Sequence, residues 1–340
     1  MGRHQALVRR RDRGGERVTA KVVMTSTRIP IAAEAAEVFA GMDVDFHVAE
    51  AASAEDLLRV TRDADAIIAL AEPFTREVIA GLERAKSITR LGIGVETVDI
   101  PAATEHGIRV TNVPDGNYRE VAVHAVNMAL TVTRRLTRLD RSMHETGSAS
   151  LALAAGTRRP DEQVFGLIGM GRIGRRVAAI AGAIGYTVRA FDPAMSDDTV
   201  RELGAEPAPF GKVVETADVL SLHVPLTEQT RNIISAEVID RMPAGAVLVN
   251  VSRGGLVDDA ALAAAIRAGR LAGAGIDAYE GEPAPLGAGH PLRGLDNVVL
   301  TPHSAHYSED SFAETKRKAL ADVARILRGE RPAYPVNEIG

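Results

Sequence analysis

Gly169-Met170-Gly171-Arg172-Ile173-Gly174 is the segment whose residue types and spacing most directly specify a chemistry. It follows the apolar run Val164–Ile168 and opens a stretch of helical character, the strand–turn–helix context in which such glycines cradle phosphate. The first glycine permits a tight turn, the second lets a pyrophosphate approach the backbone, and the third lets the helix pack closely on the strand. The helix N-terminus then offers free N–H groups and a partial positive charge. Asp192 stands at the end of the next predicted strand, where a carboxylate accepts hydrogen bonds from adenosine ribose hydroxyls and repels a 2′-phosphate. No arginine immediately follows it, so the expected cofactor is NAD and not NADP.

Further charged residues stand just beyond predicted strand ends. Arg253 lies in Asn250-Val251-Ser252-Arg253-Gly254-Gly255, Glu282 in Asp277-Ala278-Tyr279-Glu280-Gly281-Glu282-Pro283, and His303 in Thr301-Pro302-His303. Ligands of a doubly wound sheet bind outside the carboxyl ends of its strands, so all three can face the crevice that takes the nicotinamide. Taken singly each has an ordinary reading: a satisfied buried histidine, a salt-bridged loop arginine, a helix-capping acid. His223 also sits at a strand end and reads as structural or cofactor-lining. No histidine or carboxylate cluster has metal-ligand spacing, and no metal is expected.

These residues need a scaffold. From Lys21 onward, β-branched runs at Val22–Thr25, Ala66–Ala69, Ile88–Leu91 and Arg109–Thr111 alternate with helical segments at Ile31–Ala40, Ser53–Thr61, Thr75–Leu82 and Ile100–His106. Ser53 and Asp56 resemble a capping box. A long helical stretch is predicted from about Glu120 to Met143, then a loop or partner-contacting arm at Gly147–Arg159. A second series of strands follows at Val164–Ile168, Thr187–Phe191, Val219–His223, Ala246–Val251, Ala274–Ile276 and Val298–Thr301, and Ser308–Arg328 reads as a closing amphipathic helix. Alternation with continuous apolar strands predicts parallel sheets covered on both faces.

Composition narrows the class. The 340 residues suffice for two cores. With 46% hydrophobic residues but only 4% aromatics and no tryptophan, those cores must rest on Ala, Val, Leu and Ile. A net charge of −5 offers no footprint for nucleic acid. The absence of cysteine excludes thiol nucleophiles, thiolate metal sites and disulfides. No apolar run reaches the ~18 residues of a membrane span, and a cytoplasmic protein is expected. Residues 1–18 read as a disordered basic tail carrying Arg3, Arg9, Arg10, Arg11, Arg13 and Arg17, without a signal peptide's apolar stretch. Translation beginning near Val18 is an alternative to a translated tail, as is an arm touching phosphates.

The ordered set G-M-G-R-I-G, S-R-G-G-L-V-D, G-E-P and T-P-H is joined by Gly92-Ile93-Gly94-Val95, Thr111-Asn112-Val113-Pro114 and Ser221-Leu222-His223-Val224-Pro225-Leu226-Thr227. In these motifs the chain, from about residue 20 to 330, resembles the D-isomer-specific 2-hydroxyacid dehydrogenases. The resemblance implies two doubly wound parallel-sheet domains, a flavodoxin-like substrate domain (19–114 and 305–340) and a Rossmann NAD-binding domain (115–304), with a cleft between them. It implies that Arg253 holds the substrate carboxylate and polarises the keto oxygen, that His303 gives or takes the proton, and that Glu282 orients the imidazole. It implies cofactor contacts from Gly169, Gly171, Arg172, Ile173, Gly174, Asp192, His223, Val224, Pro225, Thr230, Val251, Ser252, Arg253, Asp277 and His303, with Asp277 on the carboxamide. Substrate contacts are expected from Ile93, Gly94, Arg253, His303 and His306. The implied assembly is a homodimer built through the NAD domain, and the implied substrate a small 2-hydroxy or 2-keto acid.

Departures from the family pattern touch the substrate. Relatives read G-V-D-N where this chain has Val95-Glu96-Thr97-Val98-Asp99, an acidic residue is usual where Val123 precedes His124, and His306 stands where one branch, the C-terminal-binding proteins, has tryptophan. Ala69-Leu70-Ala71-Glu72 offers a phosphate no cation, and Glu72 would repel one although Arg90 could partly compensate, so a smaller acid is expected over phosphoglycerate. No added regulatory domain is expected after Gly340. The rivals are an NADH-sensing regulator that binds other proteins, which intact Arg253, Glu282 and His303 argue against, and a formate- or phosphite-type dehydrogenase.

Overall fold

The computed structural model describes residues 19–282 and 284–339; the basic tail 1–18 and Pro283 of the Gly-Glu-Pro motif lie outside the described residues. The first of two units comprises the chain up to Asn117 together with the stretch from Ser308 onward. Its elements run β1 (Ala20–Met24), α1 (Ala32–Val38), β2 (Val44–Val48), α2 (Ala54–Thr61), β3 (Ala66–Ala69), α3 (Arg76–Ala80), β4 (Ser87–Arg90), α4 (Ile100–Glu105) and β5 (Arg109–Thr111). The strands are all parallel in the order β2-β1-β3-β4-β5, the flavodoxin-like order, which reverses between β1 and β3.

Alternate residues of each strand feed different cores, as the two-residue strand period requires. Val22, Met24 and Ile68 pack with Ala35, Phe39 and the closing-helix residues Leu320 and Val323. Val23, Ile67 and Ile88 pack with Leu57, Val78, Ile79 and Ala102 on the other face. Strand β2 escapes the sequence analysis because it is an edge strand: its Val-Asp-Phe-His-Val is nowhere fully buried, so its polar residues hide the run. At the opposite edge, the C-terminal segment lies along β5. Pro335 bridges Thr111 antiparallel, Val336 N donates to Val110 O at 2.8 Å, and Asn337 takes Val110 N at 2.7 Å while donating to Ile108 O at 3.0 Å.

The second unit runs from Tyr118 to Tyr307. The helical stretch the sequence predicts is divided into α5 (Tyr118–Thr133) and α6 (Leu136–Thr146). Arg135 between them turns left-handed (φ 57°) and sends its guanidinium to Ala272 O at 3.0 Å, a tertiary bond that outweighs local helix propensity. There follow β6 (Val164–Ile168), α7 (Arg172–Ile184), β7 (Thr187–Phe191), α8 (Asp197–Glu202), β8 (Glu206–Pro207), α9 (Phe210–Thr216), β9 (Val219–Leu222), α10 (Ala236–Arg241), β10 (Val247–Asn250), α11 (Asp259–Arg267), β11 (Gly273–Ile276) and β12 (Val298–Leu300). All pair in parallel in the order β12-β11-β10-β9-β6-β7-β8, a Rossmann sheet that reverses between β6 and β9. The closing helix α12 (Glu309–Leu327) belongs to the first unit, and its N-cap Ser308 forms a capping box with Ser311. Among the described residues no helix is long and apolar enough to cross a membrane.

Candidate active site

Arg253, Glu282 and His303 follow the carboxyl ends of β10, β11 and β12, which are neighbours in the sheet. Buried Asn250 organises the first two loops: its Nδ2 donates to Arg253 O at 2.8 Å and its Oδ1 accepts from Ser252 N at 3.1 Å, while its backbone O accepts from Asp277 N at 2.9 Å. Gly254 completes the join, because a Cβ there would lie 1.9 Å from the carbonyl carbon of Tyr279. The Arg253 guanidinium turns back on its own loop, Nη1 donating to Ser252 O at 2.8 Å.

His303 Nδ1 is hydrogen-bonded to Glu282 Oε2. The carboxylate is itself held, its Oε1 accepting from Tyr279 N at 2.7 Å. With Nδ1 committed to Glu282, Nε2 is the ring nitrogen left facing away from it, on a side chain that remains 40% exposed. His303 is left-handed at φ 52°, a conformation that costs a non-glycine residue free energy and persists only where its surroundings enforce it. Asp277 enforces it. Its backbone O accepts from His303 N at 2.9 Å; its Oδ1 takes Ser304 N at 2.8 Å and Thr301 Oγ1 at 2.5 Å, and its Oδ2 takes Ala305 N at 3.0 Å. This carboxylate is fully buried. The sequence offered Asp277 as a cofactor contact; the structure spends most of its acceptor capacity on the histidine's turn. His124 Nε2 hydrogen-bonds Thr301 Oγ1 at 3.1 Å and extends the network to α5. The imidazole of His306 lies edge-on to that of His303, ring centres 5.9 Å apart.

The glycine loop caps β6. Gly169 has φ 96°, and a Cβ there would meet His223 O at 2.4 Å; one on Gly174 would meet Gly169 O at 2.1 Å. A Cβ on Gly171 would meet nothing within 4 Å, and Gly171 caps α7 without a side-chain hydrogen bond, so the helix N-terminus stands open. Asp192 bounds the loop, Oδ2 accepting from Met170 N at 2.7 Å and Oδ1 from Ala194 N at 2.9 Å. His223 Nε2 shares a hydrogen bond with Ser221 Oγ at 3.0 Å, whereas its buried Nδ1 has no partner among the described residues. Burial pulls this imidazole down to about 3, which keeps it neutral. An open glycine cradle, an uncapped helix end and an orphaned ring nitrogen beside it fit a bound dinucleotide.

The other cofactor candidates divide. Arg172 is exposed and Ile173 half-buried at the head of α7, while Val251 is buried in the core. Ser252 Oγ ties the β10 loop to Leu222 O at 2.7 Å, and Thr230 Oγ1 closes the turn after β9 on Pro225 O at 2.7 Å. Val224 packs its Cγ1 toward Gly169. In the first unit, Ile93 and Gly94 follow β4, and Ile93 O accepts from Asn112 Nδ2 at 2.7 Å. Asp99, within one departing segment, caps α4 by accepting from Ala102 N at 2.8 Å. Asn250, Thr301 and His124 were missed by sequence reasoning as supports of this site; a polar residue closing an apolar strand was the available signal for Asn250.

Residues 126–305 match the family model described as D-isomer specific 2-hydroxyacid dehydrogenase, NAD binding domain. A glyoxylate reductase of Korarchaeum cryptofilum is 35% identical over 286 residues, covering 83% of this chain and 85% of that one. A D-3-phosphoglycerate dehydrogenase of Archaeoglobus fulgidus is 34% identical over 301 residues, 88% of this chain, of which this chain spans only 56%. The solved D-lactate dehydrogenase of Aquifex aeolicus, complexed with NAD and lactic acid, superposes with a TM-score of 0.84 at 26% identity, covering 94% of this chain and all of that one. The chain therefore belongs to the D-isomer-specific 2-hydroxyacid dehydrogenases, a family of NAD-dependent oxidoreductases.

Proposed function

We propose that this chain interconverts a small D-2-hydroxy acid and its 2-keto acid with NAD. The observation that carries the reading is the His303–Glu282 pair, its carboxylate pinned by Tyr279 N: a structural histidine needs no such orientation of one ring nitrogen. Gly169, Gly171 and Gly174 hold the pyrophosphate and Asp192 the ribose, and the bound nicotinamide supplies hydride to, or accepts it from, C2 of the acid. His303 Nε2 gives the keto oxygen its proton during reduction and removes it from the hydroxyl during oxidation. Glu282 orients the imidazole for both directions. Arg253 takes the substrate carboxylate. The exposed apolar side chains of α6 and the turn after it, Leu136, Met143 and Leu151, the last 86% exposed, support a homodimer through this unit.

The test is NADH oxidation against glyoxylate, hydroxypyruvate, pyruvate and longer 2-keto acids, repeated with NADPH and with His303→Ala, on protein whose mass is measured by sedimentation. Turnover favouring NADH and falling roughly 10²–10⁴-fold in the variant is expected. Tight NADH binding without turnover of any acid would overturn the enzymatic reading in favour of a regulator, and a monomer would remove the dimer.

A further inference from the structure

Glu282 stands near the start of the long excursion, 277–297, that joins β11 to β12. Beyond it the excursion is mostly exposed as far as Gly289, and an exposed loop does not by itself hold a carboxylate still. The hold comes through Tyr279, whose N–H binds Glu282 Oε1. The backbone at Tyr279 is pressed by Gly254, which follows Arg253, and Tyr279 Oη donates to Ala284 O at 2.7 Å. The Tyr279 ring meets that of His290 edge-on, ring centres 6.3 Å apart. His290 is braced in turn. Its Nδ1 accepts from the N–H of fully buried Leu292 at 3.4 Å, so the proton of the neutral ring stands on Nε2. That nitrogen lies 3.3 Å from Oδ2 of Asp259, the first residue of α11, on the stretch of chain that leaves Arg253.

Asp259 and His290 are well shielded, their side chains 13% and 16% exposed. Burial first, then Glu280 and Asp258, push the Asp259 carboxyl up to about 6, and burial lowers the His290 imidazole. A shielded charge of this kind costs free energy, and its retention points to a role other than stability. We propose that Asp259 and His290 are positioning residues for the reaction: a carboxylate–imidazole brace that joins the loop of Arg253 to the excursion of Glu282 and, through Tyr279, holds Glu282 where it orients His303. Without the brace the Tyr279 ring loses a neighbour, the N–H that binds Glu282 shifts, and the imidazole of His303 leaves its working angle, where small misplacements cost rate. The inference rests on the proposed dehydrogenase reading for what His303 does; the brace itself lies wholly within the second unit.

The experiment measures kcat and KM for the 2-keto acid turned over fastest, and the Kd of NADH, in Asp259→Ala, His290→Ala, Asp259→Asn and His290→Gln. A fall in kcat of roughly tenfold or more is expected in both alanine variants, with KM and Kd little changed. Asp259→Asn and His290→Gln, which keep a polar partner in each place, should recover most of it. The deciding measurement repeats His290→Ala in a Glu282→Ala background. Because the brace acts through Glu282, kcat there should change by less than about twofold, whereas a merely structural loss would recur in full. An equal fall in both backgrounds would overturn the proposal, as would unchanged kcat in both alanine variants. Should His290→Ala not fold, Asp259→Ala takes its place in the cycle. If the wild type turns over no acid, the functional reading fails and the brace is followed by proton NMR. The downfield ring N–H that His303 Nδ1 shares with Glu282 is identified by its absence in Glu282→Ala. Its loss in both brace alanine variants supports the brace; its persistence in both overturns it.

Discussion

In the second sheet the crevice between β6 and β9 is left open. Glycine carries the turn, α7 begins without a side-chain cap, and the space beside Gly171 is empty of the chain's own atoms. In the first sheet the crevice between β1 and β3 is occupied from within by Glu72, whose Oε2 accepts from Thr25 Oγ1, Leu70 N and Ala71 N. Parallel topology brings N–H groups together at both places. In the second sheet the glycines leave such groups to an outside anion, whereas in the first the chain's own carboxylate accepts from them.

The comparison can be broken most directly by carrying the glutamate across. Gly171 has φ −61°, which any residue adopts, and a side chain there has room, so Gly171→Glu should fold with a melting temperature near that of the wild type. It should nonetheless weaken NADH binding on the order of a hundredfold or more, read by fluorescence titration. Near-normal affinity would show that a carboxylate in the mouth of such a crevice does not decide its occupancy.

A second carboxylate sharpens the contrast, because Asp277 is spent on backbone N–H groups beside the open crevice. Asp277→Asn presents an NH2 group to donors that need acceptors, leaving Ser304 N or Ala305 N unsatisfied at ~1–3 kcal/mol and loosening the turn of His303. A fall in kcat of roughly ten- to hundredfold, with the Kd of NADH shifted far less, is the expected pattern in steady-state and titration data. The opposite pattern, a weakened Kd with kcat intact, would restore carboxamide binding as the main role of Asp277.

The smallest effect concerns a carboxylate with no such donors. Asp259, beside His290 Nε2 at 3.3 Å, is pushed up to about 6 by burial first and then by Glu280 and Asp258. Because the folded state holds this proton more tightly than the unfolded chain, its contribution to stability is present below about pH 4 and is lost as pH rises through 6. Asp259→Asn should accordingly gain on the order of 1–3 kcal/mol over the wild type at pH 7.5 and little at pH 4. Denaturant unfolding at the two values checks this, and a difference that does not change with pH would refute it.

Much of this was legible in the residues. Continuous apolar runs such as Ala66–Ala69 mark strands buried on both faces, and the glycine loop, Asp192 and the three charged loop residues are recognisable because their chemistry restricts the residue type. What escaped depends on distant partners. Arg135 breaks a helix for the sake of a carbonyl at Ala272, and β2 hides behind the polar face of an edge. Nothing local announces that Asp277 serves backbone groups at residues 304 and 305, or that Glu72, read as projecting toward a ligand, folds back on its own loop.

The strap over β5 has a consequence for the order of events during synthesis. Val110 waits for Asn337, a partner 227 residues downstream, and at ~5–20 residues per second the ribosome delivers it roughly 10–45 s later. Through that interval the edge of the first sheet, together with the face that α12 covers, stands bare, while the whole of residues 118–307 emerges as one uninterrupted run. The unit that begins second is thus the one able to finish first, and the stretch up to Asn117 is the part of the nascent chain most exposed to chaperones and to mispairing with its neighbours on a polysome.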